Sequence, residues 1–341
     1  MLNLKRLQMG RCRNEIHISS FSNFIVRLIV IGYKNVGESI IILFLDKCDI
    51  EKVVFSMVVD CYKKDDFNLT KVFLDKNGVS ELDFACWTHP HDDHSPGFDE
   101  IIKSYCGNKT RVFHPRFEFD DFDPGILAAE CSRAKNVWEA LVKLSSARPI
   151  ENPLLQSIGV NVGLDNGFTI KIVDDYSEKD CRFDFLTPFK EYIEKYGYAS
   201  CPKKLKNVNE LSISFTISLD SYAFYFGGDV ENKQIRLIGA DEIKRMRWMK
   251  VPHHCSDGAN LIVDLLNANL LDCAVSSVYT SRGLPVSSVQ DVYKSKGRLF
   301  MTQSANATLQ HGYGAVQFDY QFKNDKINVK PILYGNAYEY L

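Results

Sequence analysis

The densest chemistry in this chain is the run Thr88-His89-Pro90-His91-Asp92-Asp93-His94, which places three of the eight histidines and two carboxylates within six residues. Imidazole nitrogens and carboxylate oxygens gathered so closely suit a borderline divalent cation such as zinc or manganese. An exposed polar loop explains the His-x-His-x-Asp-His pattern poorly. A metal site needs ligands from more than one strand end. Asp229 follows an apolar run and the pair Gly227-Gly228, which lets the backbone come close to a bound group. His253-His254 follows another apolar stretch and Pro252. Taken alone, the first would be a turn and the second a surface pair. Beside the histidine run, each becomes a candidate ligand.

These residues must be delivered by ordered elements. Leu82-Asp83-Phe84-Ala85-Cys86-Trp87 reads as a buried strand leading into the histidine run, and Phe98–Tyr105 as a helix leaving it. Phe24–Ile31, Ile40–Leu45 and Val53–Asp60 read as strands, the last ending on a carboxylate. Their close spacing, with the turn Asn35–Ser39, predicts a largely antiparallel sheet. Apolar spacing predicts a helix within Pro124–Ala147. Val160–Val173 reads as a hairpin turning at Asp165-Asn166-Gly167. Leu211–Leu219 and Ala223–Phe226 are strands, Asn232–Lys244 is helix-like, and strands near 273–279 and 298–302 bracket a helix at 286–296. Two strand-rich halves with helices between them predict an α/β protein with two sheets packed face to face and helices outside.

Composition sets the bounds. The chain has 341 residues, 45% hydrophobic and 25% charged, with a formal charge of −2. These values are ordinary for a globular protein and supply no global field for nucleic acid or anionic membrane. None of the ten cysteines forms a Cys-x-x-Cys pair, which argues against a cysteine-based zinc ribbon. The apolar runs are too interrupted to span a bilayer, and no secretory signal is visible. Reduced thiols and a cytoplasmic location are the expectation. Residues 1–22 read as a basic leader, either disordered or the product of a start codon ahead of Met9. Residues 23–341 read as one domain with a helical and hairpin insertion around 115–180.

In their order, Asp60, His89-x-His91-x-Asp93-His94, Gly228-Asp229 and His253-His254 resemble the motifs of the metallo-β-lactamase superfamily of hydrolases. The look is nearest to the metallohydrolase domain of bacterial competence DNA-uptake proteins and their stand-alone relatives. Gly37-Glu38-Ser39 and Asn209-Glu210-Leu211-Ser212 add to the likeness, which covers roughly 24 to 320. The resemblance implies an αββα sandwich, one or two zinc or manganese ions, and hydrolysis. It implies that His89 and His91 hold a first metal, that Asp93 and His94 hold a second, and that Asp229 bridges them. One of His253 and His254 would complete the second site, and the other would stabilise or protonate the leaving group. Asp93, His253 and His254 are thus the expected catalytic residues, with Asp60 bracing the histidine loop from behind and Asn209 in a supporting place.

The departures bear on the first metal. Many relatives supply it with a further histidine. Here His114 comes early and reads as a core or surface residue, Thr187 stands where a ligand is expected, and Asn209 is a weak substitute. Cys255 replaces a glycine of the relatives, which puts a thiol within reach of the metal. His311 reads as structural. For the substrate, the leading expectation is a phosphodiester, in a nuclease or nucleotide phosphodiesterase. Lys244, Arg245, Arg247 and Lys250 around Trp248 would form a phosphate-binding stripe with a stacking ring. The alternatives are a small-molecule hydrolase acting on a lactone, thioester or ester, and a non-enzymatic partner module of a larger assembly. The expected partner is a nucleic acid or nucleotide substrate, with a protein partner on the last reading and no membrane.

Overall fold

The computed structural model describes residues 14–48, 51–116, 132–146, 152–161, 164–195, 207–266, 271–303, 312–323 and 326–341. Phe24–Tyr33 and Gly37–Lys47 are paired antiparallel strands that are apolar almost throughout. Their side chains divide by alternation. Phe24, Val26, Leu28, Val30, Ile40, Ile42 and Phe44 enter one core, while Ile25, Ile29, Ile31, Ile41, Leu43 and Leu45 enter another. A strand covered on both faces needs a continuous apolar run, and these two have one.

They lie in an eight-stranded sheet ordered Lys326–Gly335, Gly314–Lys323, Phe24–Tyr33, Gly37–Lys47, Glu51–Val59, Phe84–Cys86, Arg111–Pro115, Leu154–Ile158. A nine-stranded sheet runs Glu15–His17, Gly167–Val173, Glu178–Thr187, Ser214–Leu219, Tyr222–Phe226, Met246–Lys250, Cys273–Ser276, Arg298–Met301, Tyr338–Tyr340. Phe44, Phe55 and Phe318 of the first sheet share a core with Phe183, Phe224 and Trp248 of the second. Helices Leu69–Lys76, Phe98–Tyr105 and Ser132–Ser146 bury apolar residues against the far face of the eight-stranded sheet. Asn232–Ile238, Ala240–Lys244, Leu261–Leu265 and Ser287–Lys296 do the same for the nine-stranded sheet. The expected two packed sheets with outer helices are therefore present as an α/β architecture.

The sheets are mixed rather than mostly antiparallel. From Glu51–Val59 to Leu154–Ile158 the pairing is parallel, as it is from Tyr222–Phe226 to Arg298–Met301. Helical crossovers separate these strands, and a crossover returns the chain to run in the same direction. Parallel strands end together, so each sheet gathers several strand C-termini along one edge, where open α/β sheets place their ligands.

Local structure adds to two expectations and moves a third. Residues 14–22 are not loose: Glu15–His17 pairs with Lys171–Val173 and Ile16 is buried. The hairpin is Gly167–Val173 with Glu178–Thr187, and its turn is at Asp174–Ser177. There the Asp174 carboxylate accepts from the amides of Tyr176 and Ser177 at 3.0 and 2.8 Å, closing the turn with a side chain. Asn166 instead donates to the carbonyls of Asn161 and Leu164, and so closes a loop ahead of the strand. The 115–180 stretch supplies strands to both sheets as well as the helix Ser132–Ser146, although 117–131 lies outside the described residues.

Trp248 is fully buried between the sheets, with ring centroids 5.2 Å from Phe226 and 5.9 Å from Phe318. Trp248→Ala is expected to cost about 3–5 kcal/mol through lost burial and the cavity left behind. Urea unfolding measures it, and a loss under about 1 kcal/mol would place the indole at the surface instead.

Candidate metal centre

Each group of candidate ligands follows a strand of the parallel regions. His89, His91, Asp93 and His94 follow Phe84–Cys86, Asp229 follows Tyr222–Phe226, and His253 and His254 follow Met246–Lys250. The backbone is forced to turn sharply there. Asp60, His253, His254 and Cys255 have φ of 54°, 46°, 50° and 65°, a left-handed region costly to residues with a Cβ. Tertiary contacts hold it: the His253 amide donates to the Gly228 carbonyl at 3.0 Å, and the Val286 amide to the Cys255 carbonyl at 3.1 Å. Gly228, at φ 52°, must be glycine, because a Cβ would lie 2.4 Å from Ser212 Oγ and 2.8 Å from the Ile213 carbonyl.

Two sets of ligand atoms meet at Asp229. His89, His91 and Asp229 form one set, and Asp93, His94, Asp229 and His254 form the other, with all atoms of a set within 4.8 Å of one another. Asp229 Oδ2 is 3.8 Å from His89 Nε2, and Asp229 Oδ1 is 3.4 Å from His94 Nε2. Asp93 Oδ2 is 3.5 Å from His94 Nε2 and 2.9 Å from His254 Nε2. Ligands about 2.0–2.1 Å from a tetrahedral cation stand roughly 3.3 Å apart, so these separations suit an ion between them. His89 Nε2, His91 Nδ1, Asp93 Oδ1, His94 Nε2 and Asp229 Oδ1 are buried and lack a hydrogen-bond partner among the described residues. Buried polar atoms are costly to leave unpaired, and cations held by the two sets would satisfy all five. The donor set therefore fits a metal ion.

The ring nitrogens that face away are held. Asp60 accepts from the Thr88 amide, the Thr88 hydroxyl and His94 Nδ1, each at 2.7 Å. The Thr88 hydroxyl spends its proton on Asp60, so it accepts from His89 Nδ1 at 3.0 Å. Asp60 thereby turns the Nε2 lone pairs of both His94 and His89 toward Asp229, as carboxylates behind metal-bound histidines do. Glu38, Asp60 and His94 also lie close enough to form a ligand set. Their contacts are to His94 Nδ1, already engaged by Asp60, and they serve as its support.

Electrostatics follow from burial and pairing. Burial pushes His94 and His254 down, but Asp93 and Asp229 outweigh it, aided by Asp60 at His94 and Glu38 at His254, and both histidines rise above the ordinary range. Burial would raise Asp93 and Asp229, yet the imidazoles of His94 and His254 hold both below the ordinary carboxylate range. Burial, with charge on His94, drives His89 well down.

The choice between the two adjacent histidines is decided by orientation. His254 joins the ligand set, whereas His253 stands apart on the wall of a cleft. Its Nδ1 is 3.6 Å from Glu231 Oε1 and its Nε2 is 3.5 Å from Asn209 Nδ2. Asn209 also donates to Glu231 at 3.1 Å, so it supports His253 rather than a ligand. The cleft holds about 430 Å³ and reaches His91, Asp93 and Asp229, and Glu231, Tyr279 and Arg282 also line it. A larger cavity of about 810 Å³, beside Arg182 and Tyr222, touches no ligand.

His114 is the core residue it reads as, while Thr187 and Cys255 are engaged or buried away from the ligand sets. His114 is buried with Nδ1 2.8 Å from the Pro115 carbonyl, burial brings it down to about 4, and it joins no ligand set. The Thr187 hydroxyl donates to the Ser212 carbonyl at 2.7 Å. Cys255 is buried, burial pushes its thiol up, and it joins no set. His311 lies outside the described residues. The basic stripe does not exist as a surface. Lys250 is fully buried against Glu38 and Trp248 fills the core. Arg247 pairs with Asp272, Lys244 pairs with Asp241, and Arg245 lines the larger cavity. Lys244 and Arg245 sit at the end of the helix Ala240–Lys244, while alternation along the strand Met246–Lys250 sends Arg247 and Lys250 to opposite faces. Glu38, Thr88, Glu231 and Ser277 were not singled out as site residues. The one signal in the sequence is Glu38, a carboxylate just ahead of the apolar run Ile40–Leu45.

Because Asp93 and Asp229 favour the protonated forms of His94 and His254, and ligation must displace such protons, zinc uptake at pH 7 is expected to release protons. Apparent affinity should fall as pH drops from about 8 to about 6. Calorimetry in buffers of different ionisation enthalpy reads the release, and uptake with no net proton release would contradict this protonation state.

No protein-family model matches the chain and no curated protein matches it, so a functional reading rests on the geometry of this centre.

Proposed function

We propose that the protein is a metal-dependent hydrolase of the metallo-β-lactamase type, acting on a small phosphodiester such as a nucleotide derivative. The observation that carries this reading is Asp229 standing between two sets of imidazole and carboxylate ligands. The left-handed backbone at Cys255, where the resembling proteins have glycine, supports it as well. Zinc or manganese bound there would supply a deprotonated water at neutral pH and neutralise charge on the attacked centre.

The chain's own residues account for the rest. His89, His91, Asp93, His94, Asp229 and His254 hold the ions. His253, backed by Glu231 and steadied by Asn209, faces the cleft, where it hands a proton to the departing oxygen. Arg282 is the one Lys or Arg among the described residues lining the cleft, which suits a single phosphate rather than a long polyanion. The same scarcity of basic lining favours, as a second reading, a lactone, thioester or other small ester.

Turnover of bis-p-nitrophenyl phosphate, a generic lactone and single-stranded DNA by the metal-loaded chain separates the classes. Phosphodiester turnover with weak DNA binding is expected, and lactone turnover alone would move the assignment to the second reading. Asp229→Asn should lower turnover at least about a hundredfold with circular dichroism unchanged. His253→Gln should slow a phosphodiester with an alkoxide leaving group about a hundredfold and spare a p-nitrophenyl ester, whose leaving group needs no proton. Equal losses on both substrates would remove His253 from proton transfer.

A further inference from the structure

A second buried carboxylate, Glu38, stands behind the centre close to Asp60. It belongs to the eight-stranded sheet, and its amide donates to the Asp93 carbonyl at 2.9 Å. Its side chain crosses to the nine-stranded sheet. There Lys250 Nζ lies 2.8 Å from Glu38 Oε2, and the Ser277 hydroxyl donates to that same oxygen. Ser277 Oγ is also 2.8 Å from His254 Nδ1. Glu38, Lys250, Ser277 and His254 are all buried.

The direction of these bonds follows from proton counting. An ionised carboxylate only accepts and an ammonium only donates. Lys250 Nζ can only donate to Glu38 Oε2, and Ser277 donates its single hydroxyl proton to the same oxygen. What Ser277 shows His254 is a lone pair, so His254 Nδ1 carries a hydrogen and Nε2 is the nitrogen aimed at Asp93 and Asp229, where a metal would take the place of its proton. A buried Glu–Lys pair gains little net stability over apolar packing. Its geometry here is matched to a ligand's orientation instead.

We infer that Lys250, Glu38 and Ser277 form a positioning relay that fixes the tautomer and orientation of His254 as a metal ligand. The inference rests on the metal-centre reading given above and does not depend on which bond is hydrolysed. Asp60 performs the same service for His94 and, through Thr88, for His89. Each sheet edge thus presents its histidines through a carboxylate that accepts from a hydroxyl.

The test is zinc titration of the metal-free full chain in competition with a chromophoric chelator, run as a double-mutant cycle between Ser277 and His254. Ser277→Ala should weaken the zinc held by the set that contains His254 (Asp93, His94, Asp229 and His254) about ten- to a hundredfold. In a His254→Ala background it should change nothing further, because the relay acts only through that ring. Glu38→Gln, which keeps shape and loses charge, should fall between wild type and Ser277→Ala; it serves as the reading if Ser277→Ala does not fold. Affinity within about threefold of wild type for Ser277→Ala, or an equal loss in both backgrounds, overturns the relay. Wild-type chain that takes up no zinc overturns the relay and the hydrolase reading together. Zinc uptake that follows the predicted cycle, in a protein that turns over none of the esters, leaves the relay standing and removes only the hydrolase reading.

Discussion

Mutual neutralisation between Asp229, Asp93, His94 and His254 is the interaction on which the functional edge of this molecule depends. None of these side chains is solvated, and an isolated buried charge would be expelled or neutralised. Together, two carboxylates held low and two imidazoles held high balance their charges without metal. A cation in the same place would do so by replacing protons. The cluster is therefore compatible with burial in either state, while the open ligand atoms of His89 and His91 extend it toward the cleft.

Such a cluster needs backbone that ordinary turns do not provide. Asp60, His253, His254 and Cys255 adopt left-handed conformations, and Gly228 admits no side chain at all. Strain of this kind survives only where surrounding contacts over-determine it. The contacts here are the ends of parallel strands in two sheets, a shared aromatic core beneath them, and carboxylates that cross from one sheet to the other. Asp60 works within its own sheet, on the histidine loop. Glu38 reaches across the interface to Lys250 and Ser277, so the packing of the sheets and the aim of His254 are one problem.

Much of the architecture was legible. The strands Phe24–Tyr33 and Gly37–Lys47 announce themselves as apolar runs, and the helix Phe98–Tyr105 has its apolar positions on one face. Strand direction was not legible, since an apolar run reads the same whether its neighbour is parallel or antiparallel. The hairpin was misplaced because Asp165-Asn166-Gly167 satisfies a turn rule that its tertiary setting does not use. The basic stripe failed for a similar reason: Lys244, Arg245, Arg247 and Lys250 are neighbours along the chain, and a helix end and the opposite faces of a strand send them to different surroundings.

By itself the sequence determined the ligand types and their local spacing, because a strand end that carries His-x-His-x-Asp-His delivers those groups together whatever else the chain does. It also determined that two covered sheets must form, through the length of its apolar runs. Only the tertiary structure decided that His254 and not His253 joins the ligands, that Lys250 supports the site from inside rather than facing a substrate, and that Glu38 and Ser277 belong to it. The physical reason is common to all three. Orientation at a left-handed turn, and contacts between residues 239 positions apart such as Glu38 and Ser277, depend on how two sheets pack, and packing leaves no periodic mark on the chain.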